Sequence, residues 1–221
     1  MIARPLPVVS GAGRLRVRQV APGPDGQIRH GVRNHDARLG SVALDLVDSV
    51  FDRKGICVDR IDGPQAWALW LAEVGFVAPR VGIDADTLSR VRVLREAICQ
   101  TALAVIGVEP SSSDALTTLN TFAERAQPGF GIEMLPAGGF VVRRSEQSHD
   151  DLLASIARDA VMLFTGSGVD RIRVCDWHSC PAIFYDNSPA GDRRWCSPQC
   201  GARAAAQSYR DRQRARLLAQ A

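Results

Sequence analysis

The stretch from Arg173 to Arg203 reads RVCDWHSCPAIFYDNSPAGDRRWCSPQCGAR and holds four of the chain's six cysteines. Their spacing is C-x4-C-x15-C-x3-C. A tetrahedral zinc ion takes four soft ligands, typically two pairs from separate segments. Each pair here sits on a short turn, and the 15-residue interval is long enough for the chain to return. Ser197 fits a helix N-cap, and Pro198 fits the first helical position, where its missing N–H costs nothing. The last cysteine then falls in the first helical turn, where free N–H groups and the helix dipole favour a thiolate. Cys175, Cys180, Cys196 and Cys200 are therefore the expected ligands of Zn2+. Four cysteine ligands leave no open position, so the metal is expected to be structural rather than catalytic. Two disulfides or four free thiols are the alternative. His178 also stands at ligand-like spacing from Cys175 but reads better as a loop residue. The segment is too small to bury much apolar area, and metal binding worth roughly 10–16 kcal/mol would supply its stability. Trp177, Phe184, Tyr185 and Trp195 are expected to pack around the metal.

The helix that follows is rich in arginine. At about 100° per residue, Arg203, Gln207, Arg210 and Arg214 share one face within about 60°. Arg212 and Arg216 lie opposite, and Arg193 and Arg194 stand just before the third cysteine. Such a stripe suits phosphates or guanine edges. A solvated terminal helix would look the same, and spacing alone leaves the two readings level.

The rest of the chain sets this segment in context. The protein has 221 residues, 46% of them hydrophobic, and a net charge of +3. These values suit a globular protein with a real core. Charge is unevenly spread: residues 1–40 carry +5, residues 41–170 carry −7 and residues 171–221 carry +5. An acidic middle between basic ends suggests different tasks for the pieces. No apolar run approaches the roughly 20 residues of a membrane span. "WALWLAEVGFVA" and "TALAVIGV" read as core helix, and "PLPVVSGAG" is too short and proline-broken for a signal peptide. The expected location is cytoplasmic, with no membrane partner, and there clustered cysteines favour metal over disulfide.

Residues 1–40, punctuated by Pro and Gly, read as a basic flexible tail, with a hairpin of "RLRVRQV" and "QIRHGV" as the ordered alternative. Residues 41–168 then alternate helices with turns. "SVALDLVDSVFD" carries Val42, Leu46, Val47 and Val50 at helical spacing. "GPQAWALWLAEVGF" is a second helix, and "DADTLSRVRVLREAICQTALAVIG" a long third, capped by Asp84 or Asp86. "SSSDALTTLNTFAERAQ" is a fourth, capped from the serines. "GIEMLPAGGFVVRR" is a β-hairpin, and "DDLLASIARDAVMLFTG" a fifth helix closed by Gly166. "DRIRVC" and "AIFYD" are short strands before the final helix. The expected fold class is α+β: a mainly helical N-terminal domain with a β-hairpin, then a small treble-clef-like zinc finger over 171–221 ending in the basic helix.

The cysteine-bearing stretch resembles the CGNR zinc finger. That family joins the finger to an upstream ABATE domain, a ligand-binding α/β module of stress-induced bacterial transcription regulators. "ALDLVDSV", "AWALWLAEVGF" and "VLREAI" resemble the start of that domain, so the likeness spans roughly residues 41–216. It implies that the four cysteines bind zinc and that the basic helix meets double-stranded DNA; from the charge pattern, Arg193, Arg194, Arg203, Arg210 and Arg214 are the expected contacts. The family's namesake Cys-Gly-Asn-Arg reads Cys200-Gly201-Ala202-Arg203 here, and Asp48 stands where Asn is common. The metal set is untouched by these changes; the helix surface is not.

The expected function is a zinc-dependent DNA-binding transcriptional regulator whose middle domain senses a small molecule or mediates homodimerisation. The alternative is a zinc-stabilised protein-interaction module that binds no DNA. No enzyme is expected, because no acid–base pair or nucleophile–base spacing is visible. Cys57 and Cys99 read as buried thiols, and His30, His35 and His149 form no triad or metal motif. "GSG" at Gly166–Gly168 is a helix stop, and "GAG" at Gly11–Gly13 lacks dinucleotide-site context. Asp45 and Asp48 suit hydrogen bonding or solvent, and Trp67 and Trp70 suit a core.

Overall fold

The computed structural model describes residues 39–51, 58–126, 130–136, 138–144 and 147–219. The tail through residue 38, with His30, His35 and Gly11–Gly13, lies outside them, as does Cys57.

Helix α1 (Val42–Val47) is short, and all six of its residues are buried. It is apolar on nearly every side, which suits a helix enclosed by others. Its amino end is capped from a distance: the Asp159 carboxylate accepts the Ala43 N–H at 3.1 Å and the Ser41 hydroxyl at 2.5 Å. Asp45 is buried and accepts the Leu39 N–H at 2.9 Å. The helical spacing that includes Val50 overshoots. The buried Ser49 hydroxyl bonds back to the Leu46 carbonyl at 2.6 Å, and Val50 enters strand β1 (Val50–Phe51), antiparallel to β2 (Val58–Asp59). Back-bonding of this kind competes with helix propagation.

The other helices follow their sequence signals. Pro64 opens α2 (Pro64–Glu73). Asp84 caps α3 (Ala85–Val105) by accepting the Thr87 N–H at 2.8 Å. Ser112 caps α4 (Ser113–Ala123) through the Ala115 N–H. Ser148 and Asp151 form a capping box at α5 (His149–Thr165). Between α4 and α5, β3 (Phe130–Met134) pairs antiparallel with β4 (Phe140–Arg144). Gly166 ends α5 in an extended rather than a left-handed conformation (φ −76°, ψ 162°). Among the described residues no helix is long and apolar enough to cross a membrane.

One apolar core joins α1, α2, α3, α4 and α5 through residues such as Leu46, Trp67, Leu94, Ile98, Leu119 and Ile156. Trp67 and Trp70 stack within it, ring centroids 5.2 Å apart and planes 12° off parallel. The Trp67 Nε1–H donates to His149 Nδ1 at 3.1 Å, while His149 Nε2 meets the Val81 carbonyl at 2.8 Å. The two bonds together require a neutral ring protonated on Nε2. Cys99 lies buried in the same core. The Arg95 side chain, 5% exposed, forms a bidentate pair with Asp59 at 2.7 and 2.9 Å and donates to the Ser49 hydroxyl at 3.0 Å. That pair ties β2 and the end of α1 to α3.

A second core begins where the first ends. Leu39, Leu44 and Ala102 pack with Ile172, Ala182, Ile183, Phe184 and three of the cysteines. Leu46 belongs to the first core and Leu44 to the second, so α1 is a wall shared by both. The backbone joins them too: the Tyr185 N–H donates to the Leu39 carbonyl at 2.9 Å. Gly40 (φ +87°) lies against Tyr185, where a Cβ would come within 3.1 Å of the Tyr185 Cβ. Left-handed backbone and close approach both call for glycine there.

Candidate metal centre

Strands β5 (Ile172–Val174) and β6 (Ile183–Tyr185) form an antiparallel hairpin that follows a 3₁₀ turn (Val169–Arg171). The loop between these strands carries the first cysteine pair. The Cys175 N–H continues the ladder to the Ala182 carbonyl at 2.9 Å, and the Cys180 N–H closes a tight turn on the Trp177 carbonyl at 2.7 Å. The chain then returns through residues 186–195, and Asp186 organises that return. It is wholly buried, and its carboxylate accepts the N–H groups of Ser188 at 2.9 Å and Arg193 at 2.7 Å. Arg173 Nε stands 3.6 Å away. Burial pushes the Asp186 carboxyl up, but the Ser188 and Arg193 bonds and the Arg173 charge outweigh it and hold the group below the usual carboxylate range. Sequence reading passed over Asp186, and the turn-forming run Asp-Asn-Ser-Pro was the available signal.

The return loop brings the second pair alongside the first. The Asp176 N–H donates to the Arg194 carbonyl at 2.9 Å, and the Cys196 N–H points at Cys175 Sγ at 3.5 Å. Ser197 then caps α6 (Pro198–Leu218), accepting the Cys200 N–H at 3.3 Å. Cys200 is thereby fixed in the first helical turn.

The four ligand sulfurs all lie within 4.8 Å of one another. Cys196 Sγ is 3.7 Å from both Cys180 Sγ and Cys200 Sγ. A disulfide needs about 2.05 Å. A tetrahedron with Zn–S bonds of about 2.3 Å has edges of about 3.8 Å. The spacing therefore matches a shared ion, and all four cysteines are free. His178 stands outside the cluster; its Nδ1 meets the Ser179 hydroxyl at 2.7 Å, and its ring lies 4.2 Å from that of Trp177. Phe184 is buried in the apolar cluster that includes Cys175, Cys196 and Cys200, and Trp177, Tyr185 and Trp195 pack half-buried against that cluster.

Electrostatics point the same way. Burial pushes the Cys180 thiol up to about 11. Burial, reinforced by the charges of Cys180 and Cys175, pushes Cys196 up as well. Cys200 goes the other way: burial raises it, but hydrogen bonding with Ser197 and with the other three thiols brings it below its ordinary value. A thiolate is thus least costly at the helix start, and further thiolates need a cation to offset their repulsion. A dication held by these four cysteines supplies that charge and staples the hairpin to α6. The donor set fits structural Zn2+.

The arginines divide by environment. Arg193 faces inward: Nε donates to the Trp195 carbonyl at 2.9 Å, Nη2 to the Cys196 carbonyl at 2.5 Å, and the guanidinium lies over the Phe184 ring at 5.3 Å. Arg194, with 66% of its side chain exposed, pairs with Asp176 at 2.8 Å beside the Trp195 ring. Arg203, Arg210 and Arg214 are exposed on α6, and Arg210 donates to Gln207 Oε1 at 2.7 Å. Cys200 is the single buried residue of that helix, so its basic length stands clear of the core. Ala202, at the family's Asn position, is exposed on it.

Comparison with known proteins agrees with this geometry. The ABATE family, described as "Putative stress-induced transcription regulator", matches residues 40–167, and the CGNR zinc finger matches residues 171–213. No curated protein matches the chain. The family's role points to regulation and, with the finger, to nucleic acid as a partner class. With more than half its length matched and the cysteine cluster following in the expected order, the chain belongs to the ABATE family and ends in a CGNR zinc finger.

Proposed function

We propose that this protein is a cytoplasmic, zinc-dependent transcriptional regulator that binds double-stranded DNA through the finger. The observation that carries the reading is the fixing of α6 by a sulfur cluster at its first turn, while Arg203, Arg210 and Arg214 stand exposed along its outer length. Arg194 extends that basic surface beyond the helix start. Arg193 serves the finger itself, holding the carbonyls of Trp195 and Cys196. The helical body is the part that senses a small molecule or pairs with a second copy. Ligand control then requires that the ligand bind DNA-competent and DNA-incompetent arrangements with different free energies.

The test is fluorescence anisotropy of the zinc-loaded full chain with duplex DNA across a salt series. Four arginine–phosphate contacts give a log–log slope near −3.6 and roughly a hundredfold loss of affinity between 50 and 200 mM salt. Arg203→Ala/Arg210→Ala should flatten the slope by about 2. Salt-independent binding, or none to any duplex, would remove the proposal. The competing reading, a protein-interaction module, draws on the exposed Tyr209, Leu217 and Leu218 of the same helix. It would gain if the zinc-loaded chain bound no duplex at any salt.

A further inference from the structure

A groove of about 280 Å³ lies where the helical body meets the finger. Ile106 and Val108, at the end of α3, form one wall. That wall is held in shape by the helix terminus: Gly107 is left-handed (φ +73°), its N–H bonds to the Ala104 carbonyl, and the Val108 N–H reaches the Leu103 carbonyl at 2.9 Å. This double bond pattern is a Schellman stop, and it sets Val108 facing the finger. The opposite wall is β5, through Val174 and Arg173, and the rim carries Arg193, Arg194 and Asp176.

Three arginines therefore line one shallow space. Each already bonds within the finger. Arg173 donates to the Gly191 carbonyl at 2.6 Å, Arg193 to the carbonyls of Trp195 and Cys196, and Arg194 to Asp176 at 2.8 Å. A guanidinium has five N–H donors, so each keeps donors beyond these bonds. The lining holds one carboxylate, Asp176; Asp186 lies buried beside Arg173 with its oxygens already bonded to backbone N–H groups. Three arginines against one carboxylate give the lining an excess of positive charge. Its volume is below the roughly 300–1,000 Å³ of small-molecule pockets, and it is open on one side. Enclosure of a free ligand does not suit this shape; a chain running through it does.

We propose that this groove seats a backbone phosphate of the bound DNA, so that the helical body and the finger together form the DNA-contacting surface. This rests on the DNA-binding reading above and deepens it. The seat exists only while the finger is docked on α3, since one wall comes from each part. DNA affinity then depends on the docking of the two, which gives a ligand of the body a physical route to the DNA end.

Val108 is the residue to change, because it lies in the groove, is 60% exposed and carries no charge. The experiment compares full-length zinc-loaded wild type, Val108→Glu and Val108→Arg on one duplex by anisotropy, with metal content and melting temperature measured for each. A unit charge about 6 Å from the phosphate in water shifts affinity roughly threefold. Val108→Glu should therefore bind about threefold more weakly, and Val108→Arg about threefold more tightly with a salt slope steeper by about 0.9. Two folded, metal-bearing variants that bind like wild type, or that weaken equally, would overturn the phosphate seat and leave the proposal for α6 standing. Failure of wild type to bind any duplex would remove both.

Discussion

Cys196 has the most to lose from a one-atom change. Its sulfur makes two of the 3.7 Å edges of the cluster, and its N–H points at the Cys175 sulfur. Cys196→Ser keeps the shape but replaces a polarisable thiolate with a hydroxyl that stays protonated at neutral pH. The ion is left with three sulfurs. If structural zinc contributes roughly 10–16 kcal/mol over four ligands, one ligand's share is about 3 kcal/mol. At 1.4 kcal/mol per factor of ten, zinc affinity should fall at least a hundredfold. Competition with a chromophoric chelator measures this directly. The melting temperature should fall with it, because the cluster shares its apolar packing with Leu39, Leu44 and Ala102. Cys99→Ser is the control: that thiol sits in the other core and should leave zinc affinity unchanged. A Cys196→Ser protein with parental zinc affinity would refute the four-sulfur site.

The remaining expectations concern pH, caps and packing. Zinc affinity should rise at least a hundredfold per pH unit between 6 and 8, because the raised Cys180 and Cys196 thiols alone must each release a proton; a flat chelator titration would contradict this. Ser197→Ala removes the α6 cap and should cost about 1 kcal/mol in urea unfolding, with Ser197→Asp recovering most of it. Asp59→Asn leaves the buried Arg95 half-paired and should cost about 3 kcal/mol at pH 7. Burial raises the Asp59 carboxyl, but Arg95, the Ile61 N–H and Arg92 together hold it below its usual value. Its stabilisation is therefore complete above the unfolded-state value of about 4 and fades as pH falls through the lowered value. The gap in urea midpoint between the variant and the parent should accordingly be narrower at pH 3 than at pH 7. Gly168→Ala drives a Cβ into the Tyr185 ring and hydroxyl and should cost about 1–3 kcal/mol; Tyr185→Phe in the same chain should recover part of that loss.

What the sequence made legible was local. Asp84, Ser112 and Ser197 could be read as caps because each bonds an N–H three residues ahead. The cysteines could be read because two short turns and a helix start impose their spacing. The finger's α+β build and the β3–β4 hairpin followed from turn residues and alternation in the same way. The end of α1 could not be read, since its apolar period continues to Val50 while the Ser49 hydroxyl diverts the backbone. Long-range polar pairs were also out of reach. Arg95 meets Asp59 from 36 residues away, and Asp159 caps α1 from 116 residues away. No periodicity announces such partners. Arg193 shows the same limit inside the site: a charge run counts guanidiniums but does not say which of them turn inward onto carbonyls.

The shared wall changes how the finger has to be studied. A finger that folded by itself would need only its metal and its own small core. Here Ile183 and Phe184, 2% and 1% exposed, are covered partly by Leu39, Leu44 and Ala102 from outside the finger. Cutting the chain near residue 171 would uncover that apolar surface and unseat Tyr185 from Gly40 and Gly168. Burial of a large apolar side chain is worth roughly 1.5–3 kcal/mol, so two or three such losses take back a sizeable part of what one zinc ion contributes. A severed fragment could then fail to bind DNA for want of its wall, whatever the merit of its arginines. The same geometry gives the body leverage over the finger. Leu44 and Leu46 are two residues apart on α1 and belong to different cores, so a ligand that rotates or shifts this one short helix must repack both.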